Sequence, residues 1–307
     1  MKKATQNNTL IIKSGGGYFH QGVKSEGYHV ITPYIEKGLF YRLLRELCFR
    51  VPFLPKKVWY NKEVLNSKFD YFLIGDPLIT TDYLKWIKKV KPNAQLNFIY
   101  GNMVGKAKHP MPNEIPSCYR VWSYDGGDCE KYGLRKFFCN GYFKCFIKAH
   151  KKTKQDVLFV GGDKGRGEYL LSIEKEMNAL GISTKFIIVK SSKLDKDKPY
   201  YHEPVSYDVV TDMVAESKAV LNVAMPGQTG VTMRDLEAIL IGVKLITTNP
   251  HTKEEDFYNP NNVYLLNDNN IRGLIDFLEK PMTPIPDEIK HRYDFNKYIE
   301  EITVDDE

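Results

Sequence analysis

Apolar runs of strand length alternate with helix-patterned stretches along almost the whole chain, and the connections between them are short. Parallel strands can be joined only by a crossover, usually a helix, so this alternation predicts parallel sheets covered on both faces. In the first half, residues 9–13, 69–75, 95–100 and 120–124 read as strands, with helices over 38–51 and 81–90. Pro52 and Pro55 close the first of these helices. In the second half, strands are expected over 156–160, 184–189, 219–223, 244–248 and 263–266. Helices over 168–180, 207–217 and 233–240 lie among them. Gly181 and Gly242 stand where a C-terminal glycine ends a helix. A basic connector at 148–154 divides the halves. The expected architecture is α/β: two doubly wound, Rossmann-like domains, 1–150 and 151–307, facing a cleft.

Composition narrows the function classes. Hydrophobic residues make up 42% and charged residues 27%, the profile of a globular chain. No apolar run approaches the roughly 18 residues of a membrane span. The first eight residues are polar, and the apolar stretch after them is only a strand long, which points to the cytoplasm. The five cysteines, at 48, 118, 129, 139 and 145, form no CxxC pair and read as reduced thiols rather than a zinc or disulfide framework. Net charge is +6, and part of it is concentrated: Lys37, Arg42, Arg45, Arg50, Lys56 and Lys57 stand against Glu36 and Glu46. That patch is too short for a nucleic-acid binder and suits an anionic membrane surface or a phosphate-bearing partner.

In open parallel sheets, ligands gather at the carboxyl ends of strands. Two post-strand segments carry chemistry there. The first is Gly161-Gly162-Asp163-Lys164-Gly165-Arg166-Gly167, which turns a strand into a helix. Backbone N–H groups at such a helix start meet anions, and Lys164 and Arg166 add two cations for a diphosphate. A glycine-rich turn with solvated charges is the plainer reading. The second is Pro226-Gly227-Gln228-Thr229-Gly230-Val231-Thr232-Met233-Arg234-Asp235-Leu236-Glu237-Ala238. Its Gln228, Thr229, Gly230 and Thr232 offer N–H groups and hydroxyls at a helix start, and Glu237 lies where it could face a ribose. Alternatively, Arg234 and Glu237 form an ordinary i,i+3 pair.

The stretch 207–266 resembles the C-terminal half of GT-B glycosyltransferases of capsule, exopolysaccharide and lipopolysaccharide biosynthesis. The likeness rests on Ser206-Tyr207-Asp208, on 228–234 with Glu237, on Lys244-Leu245-Ile246-Thr247-Thr248-Asn249, and on 256–262. The resemblance implies a GT-B fold with the nucleotide-sugar donor in the second domain and the acceptor in the first. It places the diphosphate at Gly162, Lys164 and Arg166, and the ribose at Glu237. Where many retaining relatives carry the first of two spaced glutamates, this chain has Thr229, a departure from that pattern.

No metal or other cofactor is expected. Asp195-Lys196-Asp197 has DxD spacing but sits in a lysine-rich hydrophilic stretch without a preceding apolar strand. Cations and helix ends are expected to neutralise the leaving diphosphate instead. Removing the acceptor proton calls for a general base. Asp76 follows a buried strand and is the first candidate, Asp125 the second, and His20, beyond the Gly15-Gly16-Gly17 turn after the first strand, the third. Asp76 also reads as a turn cap before Pro77. The expected partners are a nucleotide sugar and a glycan or lipid-linked acceptor, with no nucleic acid. The alternatives are a polyol-phosphate transferase, a sugar-nucleotide epimerase, and a non-catalytic nucleotide-sugar-binding partner. The 38–51 stripe, Leu39, Phe40, Leu43, Leu44 and Leu47, either lies on the inner face of the cell membrane or packs on the first sheet.

Overall fold

The strand–helix alternation folds into two separate parallel sheets. The computed structural model describes residues 3–35, 37–51, 53–137, 141–192 and 195–304; Glu36, Pro52 and Cys139 lie outside the described residues. In the first sheet the strands are β1 (Thr9–Lys13), β2 (His29–Ile31), β3 (Tyr71–Gly75), β4 (Gln95–Tyr100), β5 (Arg120–Ser123) and β6 (Arg135–Lys136). Their order is β2-β1-β3-β4-β5-β6, every pair parallel. Helices α1 (Tyr18–Ser25), α2 (Leu39–Arg50), α3 (Thr81–Val90) and α4 (Gly126–Tyr132) belong to the same part of the chain. Residues of β3 and β4 are buried throughout, as a sheet covered on both faces requires. Buried Asn97 is satisfied in place, accepting from the Trp122 indole at 3.0 Å and donating to Gln95 at 3.2 Å.

The second sheet contains β7 (Gln155–Gly162), β8 (Thr184–Val189), β9 (Ser217–Asn222), β10 (Lys244–Thr247) and β11 (Val263–Leu265), in the order β11-β10-β9-β7-β8. Its helices include α5 (Gly167–Ala179), α6 (Tyr207–Ala215) and α7 (Met233–Ile241). Gly242 ends α7 at φ 83°, a left-handed conformation that favours glycine. Short helices α8 (Leu274–Glu279) and α9 (Asp287–Arg292) follow. The connector joins this unit: Lys151 meets Asp212 at 2.8 Å and Lys154 meets Glu216 at 2.9 Å, both carboxylates at α6 or its C-cap.

Two compact units result, Met1–Phe143 with Phe295–Glu307, and Lys144–Asp294. The last helix, α10 (Phe295–Thr303), therefore packs in the first unit, although the sequence alternation groups it with the second half. It buries Phe295, Tyr298, Ile299 and Ile302, and the Phe295 ring lies 4.7 Å from that of Phe143. A Cβ on Gly141 would lie 2.9 Å from the Phe295 backbone, so this close approach, at φ 62°, requires glycine.

Helix α2 runs against the usual rule. Arg45 is its one buried residue, with its guanidinium 5.0 Å from the Tyr34 ring centre. Leu39, Phe40, Leu43, Leu44 and Leu47 are exposed. The stripe therefore does not pack on the sheet, and Arg45 leaves the surface charge patch. Among the described residues, no helix is long and apolar enough to cross a membrane.

Truncating Phe295 to Ala should destabilise the first unit by about 3–5 kcal/mol, the usual cost of a buried Phe-to-Ala cavity. Urea denaturation monitored by tryptophan fluorescence checks this, because Trp59, Trp86 and Trp122 all lie in that unit.

Candidate active site

In the second unit the chain runs from β7 to β8 on one side and then to β9 on the other. The loops after β7 and β9 thus flank the point where strand order reverses, where ligands sit in open parallel sheets. Both donor segments expected from the sequence lie there. Lys164 takes a left-handed backbone, φ 49°, at a cost of roughly 1–2 kcal/mol for a non-glycine residue, and its N–H donates to Ser191 Oγ at 2.6 Å. Arg166 lies against the Phe159 ring at 5.5 Å and donates to the Gly162 carbonyl at 3.4 Å. Its Nε is buried and has no hydrogen-bond partner. Arg234, from the first turn of α7, donates to the Val160 carbonyl at 2.6 Å and pairs with Glu237.

Three cations therefore converge on the carboxyl end of β7. Burial, then Arg166, pushes the Lys164 ammonium down from its ordinary pKa. Burial, then Arg234, does the same to Arg166, with Asp163 opposing. An arrangement that depresses its own cations gains stability when an anion arrives.

Glu237 is 1% exposed, and its two oxygens are occupied by Arg234 and by the Tyr207 hydroxyl at 2.9 Å. Burial pushes its carboxyl up, against the pull of Arg234 and Tyr207. Here the carboxylate holds Arg234 instead of presenting itself outward. Thr232 caps α7, accepting from the Arg234 N–H at 3.2 Å, and Asp235 returns the contact by accepting from the Thr232 N–H at 2.7 Å. Asn222, at the end of β9, donates to Asp235 at 2.8 Å and ties this helix start to the sheet. Gln228 accepts from the Met225 N–H at 3.1 Å, Asn249 holds the Thr229 carbonyl at 3.0 Å, and Gly230 is buried in the same loop.

The glycine turn has an anchor that the motif reading missed. Asp163 accepts from the Gly167 N–H at 2.7 Å, from Tyr201 at 2.6 Å and from Tyr200 at 3.2 Å. Its place inside the glycine run, just before a helix, was the available signal. Asp195 and Asp197 are engaged locally: Asp195 accepts from the Ser191 and Ser192 N–H groups, and Asp197 pairs with Lys190.

In the first unit the order reverses across β1, which neighbours β2 and β3. Asp76, just beyond β3, is fully buried. It accepts from the Gly101 N–H at 2.8 Å, Asn102 at 3.1 Å and His109 Nδ1 at 3.0 Å. The Gly105 N–H donates to His109 Nε2, so the proton of that ring sits on Nδ1 and points at Asp76. Lys13 ends β1 with its ammonium 4.2 Å from the Phe19 ring centre. Burial lowers its pKa, with Asp76 opposing. Asp125 is 1% exposed and caps α4, a helix the sequence reading did not resolve, by accepting from the Asp128 N–H at 3.1 Å. His20, in α1, places Nε2 3.1 Å from the Lys13 carbonyl. A carbonyl only accepts, so Nε2 donates to it, and in the neutral ring the lone pair falls on Nδ1.

Burial alone would raise the Asp163 carboxyl, but Tyr201, the Gly167 N–H, Tyr200 and Lys198 together hold it below the ordinary value. A depressed folded pKa contributes stability that is present above the unfolded value of about 3.9 and is lost as pH falls through the folded value. Asp163→Asn should remove that part of the acid limb when urea midpoints are compared from neutral pH down to about 3.

No protein-family model matches the sequence, and no curated protein matches it in a sequence comparison. Solved structures do match in fold. Sucrose-phosphate synthase from Thermosynechococcus elongatus aligns with a TM-score of 0.61 at 10% identity, covering 96% of this chain and 97% of that one. HepE from Anabaena, solved in complex with UDP and glucose, aligns with a TM-score of 0.53 at 12% identity, covering 96% and 98%. With two doubly wound parallel-sheet domains of six and five strands, the chain has the GT-B fold.

Proposed function

We propose that this chain is a glycosyltransferase that draws its sugar from a nucleoside-diphosphate donor held by the second unit. The convergence of Lys164, Arg166 and Arg234 at the strand-order reversal, with Arg166 Nε unpartnered, carries this reading. The UDP and glucose in the HepE complex support it and make UDP-sugars the first donors to test. Lys164 and Arg166 would receive the diphosphate, and Arg234 would add charge while held by Glu237. A ribose contact by Glu237 would have to share carboxylate oxygens that already accept from Tyr207 and Arg234. Gln228, Thr229, Gly230 and Thr232 would line the same helix start.

In the transfer, the acceptor hydroxyl oxygen bonds to the anomeric carbon as that carbon's bond to the diphosphate breaks. The electron pair leaves on the diphosphate, where the cations stabilise it without a metal. The hydroxyl proton passes to a base. Of the three candidates, His20 is favoured by the free Nδ1 lone pair, whereas Asp76 and Asp125 already serve donors within their loops. The resemblance of 207–266 to capsule and lipopolysaccharide enzymes supports a growing cell-surface glycan, lipid-linked, as acceptor. Incubation with a nucleotide sugar alone separates transfer from epimerisation, which needs no acceptor.

Calorimetry on the double variant Lys164→Ala/Arg166→Ala should show nucleoside-diphosphate affinity reduced by at least about tenfold, since each charge-assisted hydrogen bond contributes about 1.5–3 kcal/mol. Unchanged affinity in the folded variant would refute the assignment. His20→Ala should lower turnover by about 10²–10⁴, the usual worth of a general base, with donor affinity near that of the wild type. Turnover that survives His20→Ala but collapses in Asp76→Asn would return the base to Asp76.

A further inference from the structure

Helix α2 presents its apolar stripe to solvent: Leu39 is 73% exposed, Phe40 69%, Leu43 60% and Leu47 57%. Phe53, just beyond it, is 86% exposed. A contiguous apolar face of this kind marks an interaction surface. Exposed Lys37, Arg42 and Arg50 accompany it. The chain then forms one wall of a cavity of about 530 Å³, whose opposite wall is α3. Lys56, Lys57, Lys85 and Lys89 line it together with Leu54 and Trp86. Among the described residues, Asp82 is the single carboxylate in that lining; it pairs with Lys56 at 2.6 Å and leaves Lys57, Lys85 and Lys89 without an ion pair.

The occupant must be apolar and anionic at once. A nucleic acid would leave the leucines and phenylalanines in water. A second copy meeting the same face two-fold would bring lysine walls together. A bilayer with anionic headgroups satisfies both features. We propose that α2 and the lysine-walled cavity form a docking surface for an anionic phospholipid bilayer. The α2 side chains and Phe53 enter the acyl boundary, and the cavity takes a lipid phosphate. This surface lies wholly in the first unit, and its failure would leave donor binding by the second unit unaffected.

Flotation with vesicles of phosphatidylcholine, alone or with one part in three phosphatidylglycerol, tests the proposal at physiological salt. Wild type should float with the anionic vesicles only. Phe40→Ser/Leu43→Ser/Leu47→Ser should abolish flotation. Lys85→Gln/Lys89→Gln should weaken it about 25-fold, at about fivefold per lysine. Lys175→Gln/Lys185→Gln, exposed positions in the second unit, should change little. Thermal melting and nucleotide binding confirm that each variant is folded. Equal flotation with both vesicles, flotation with neither, or retention in the serine variant would overturn the docking surface. Concentration-dependent self-association without lipid binding would assign the face to a second copy and overturn it as well. Equal weakening by the two lysine pairs would overturn the cavity's part in it.

Discussion

Parallel strands cannot be joined by a tight turn; each connection must cross the sheet, and all carboxyl ends collect along one edge. That constraint places the candidate site residues that follow the strands of each sheet. Because β1 and β7 each have their next strand on one side and a later strand on the other, each sheet has one point where adjacent loops diverge. Lys164, Arg166 and Arg234 crowd around one such point, and Lys13, His20 and Asp76 around the other. Residues about seventy positions apart meet because Arg234 starts a helix after β9 and bonds to the Val160 carbonyl of β7.

Electrostatics then separates carboxylates committed to their neighbours from cations held near other cations. A buried carboxylate that accepts several hydrogen bonds is committed to them, because withdrawing it leaves its donors unpaired. Asp76, Asp163, Asp235 and Glu237 are of this kind, and Asp125 is engaged as the cap of α4. The cations have the opposite character. Arg166 and Lys164 sit near other positive charge, and the buried Arg166 Nε lacks an acceptor. An anion improves that arrangement, whereas a further cation would worsen it. The same contrast applies to α2, where the guanidinium of Arg45 is buried against Tyr34 and the leucines face water.

Hydrophobic periodicity was enough to read the fold class, because a sheet covered on both faces needs nearly continuous apolar strands. β3, β4, β8 and β10 stand close to where their runs of Val, Ile, Leu and Phe place them. The glycine turn at 161–167 and the loop before α7 were legible as strand-to-helix turns carrying cations, since a glycine run beside Lys and Arg at a helix start is a local pattern. Three-dimensional packing decided the rest. Nothing in the 3.6-residue period of α10 says which sheet it covers, so its return to the first unit depended on Gly141 and Phe143 being there to receive it. The short α4 and its cap at Asp125 had too few apolar residues to show a period. Whether a histidine nitrogen is a donor or a lone pair depends on its neighbour, and for His20 that neighbour is the Lys13 carbonyl, seven residues earlier on another element. Sequence alone therefore determined the parallel α/β framework and the chemical character of its loops, because both follow from local periodicity and residue type. Tertiary structure alone decided which charges meet, which carboxylates are already committed and which apolar face stays in water, because each depends on neighbours distant in the chain.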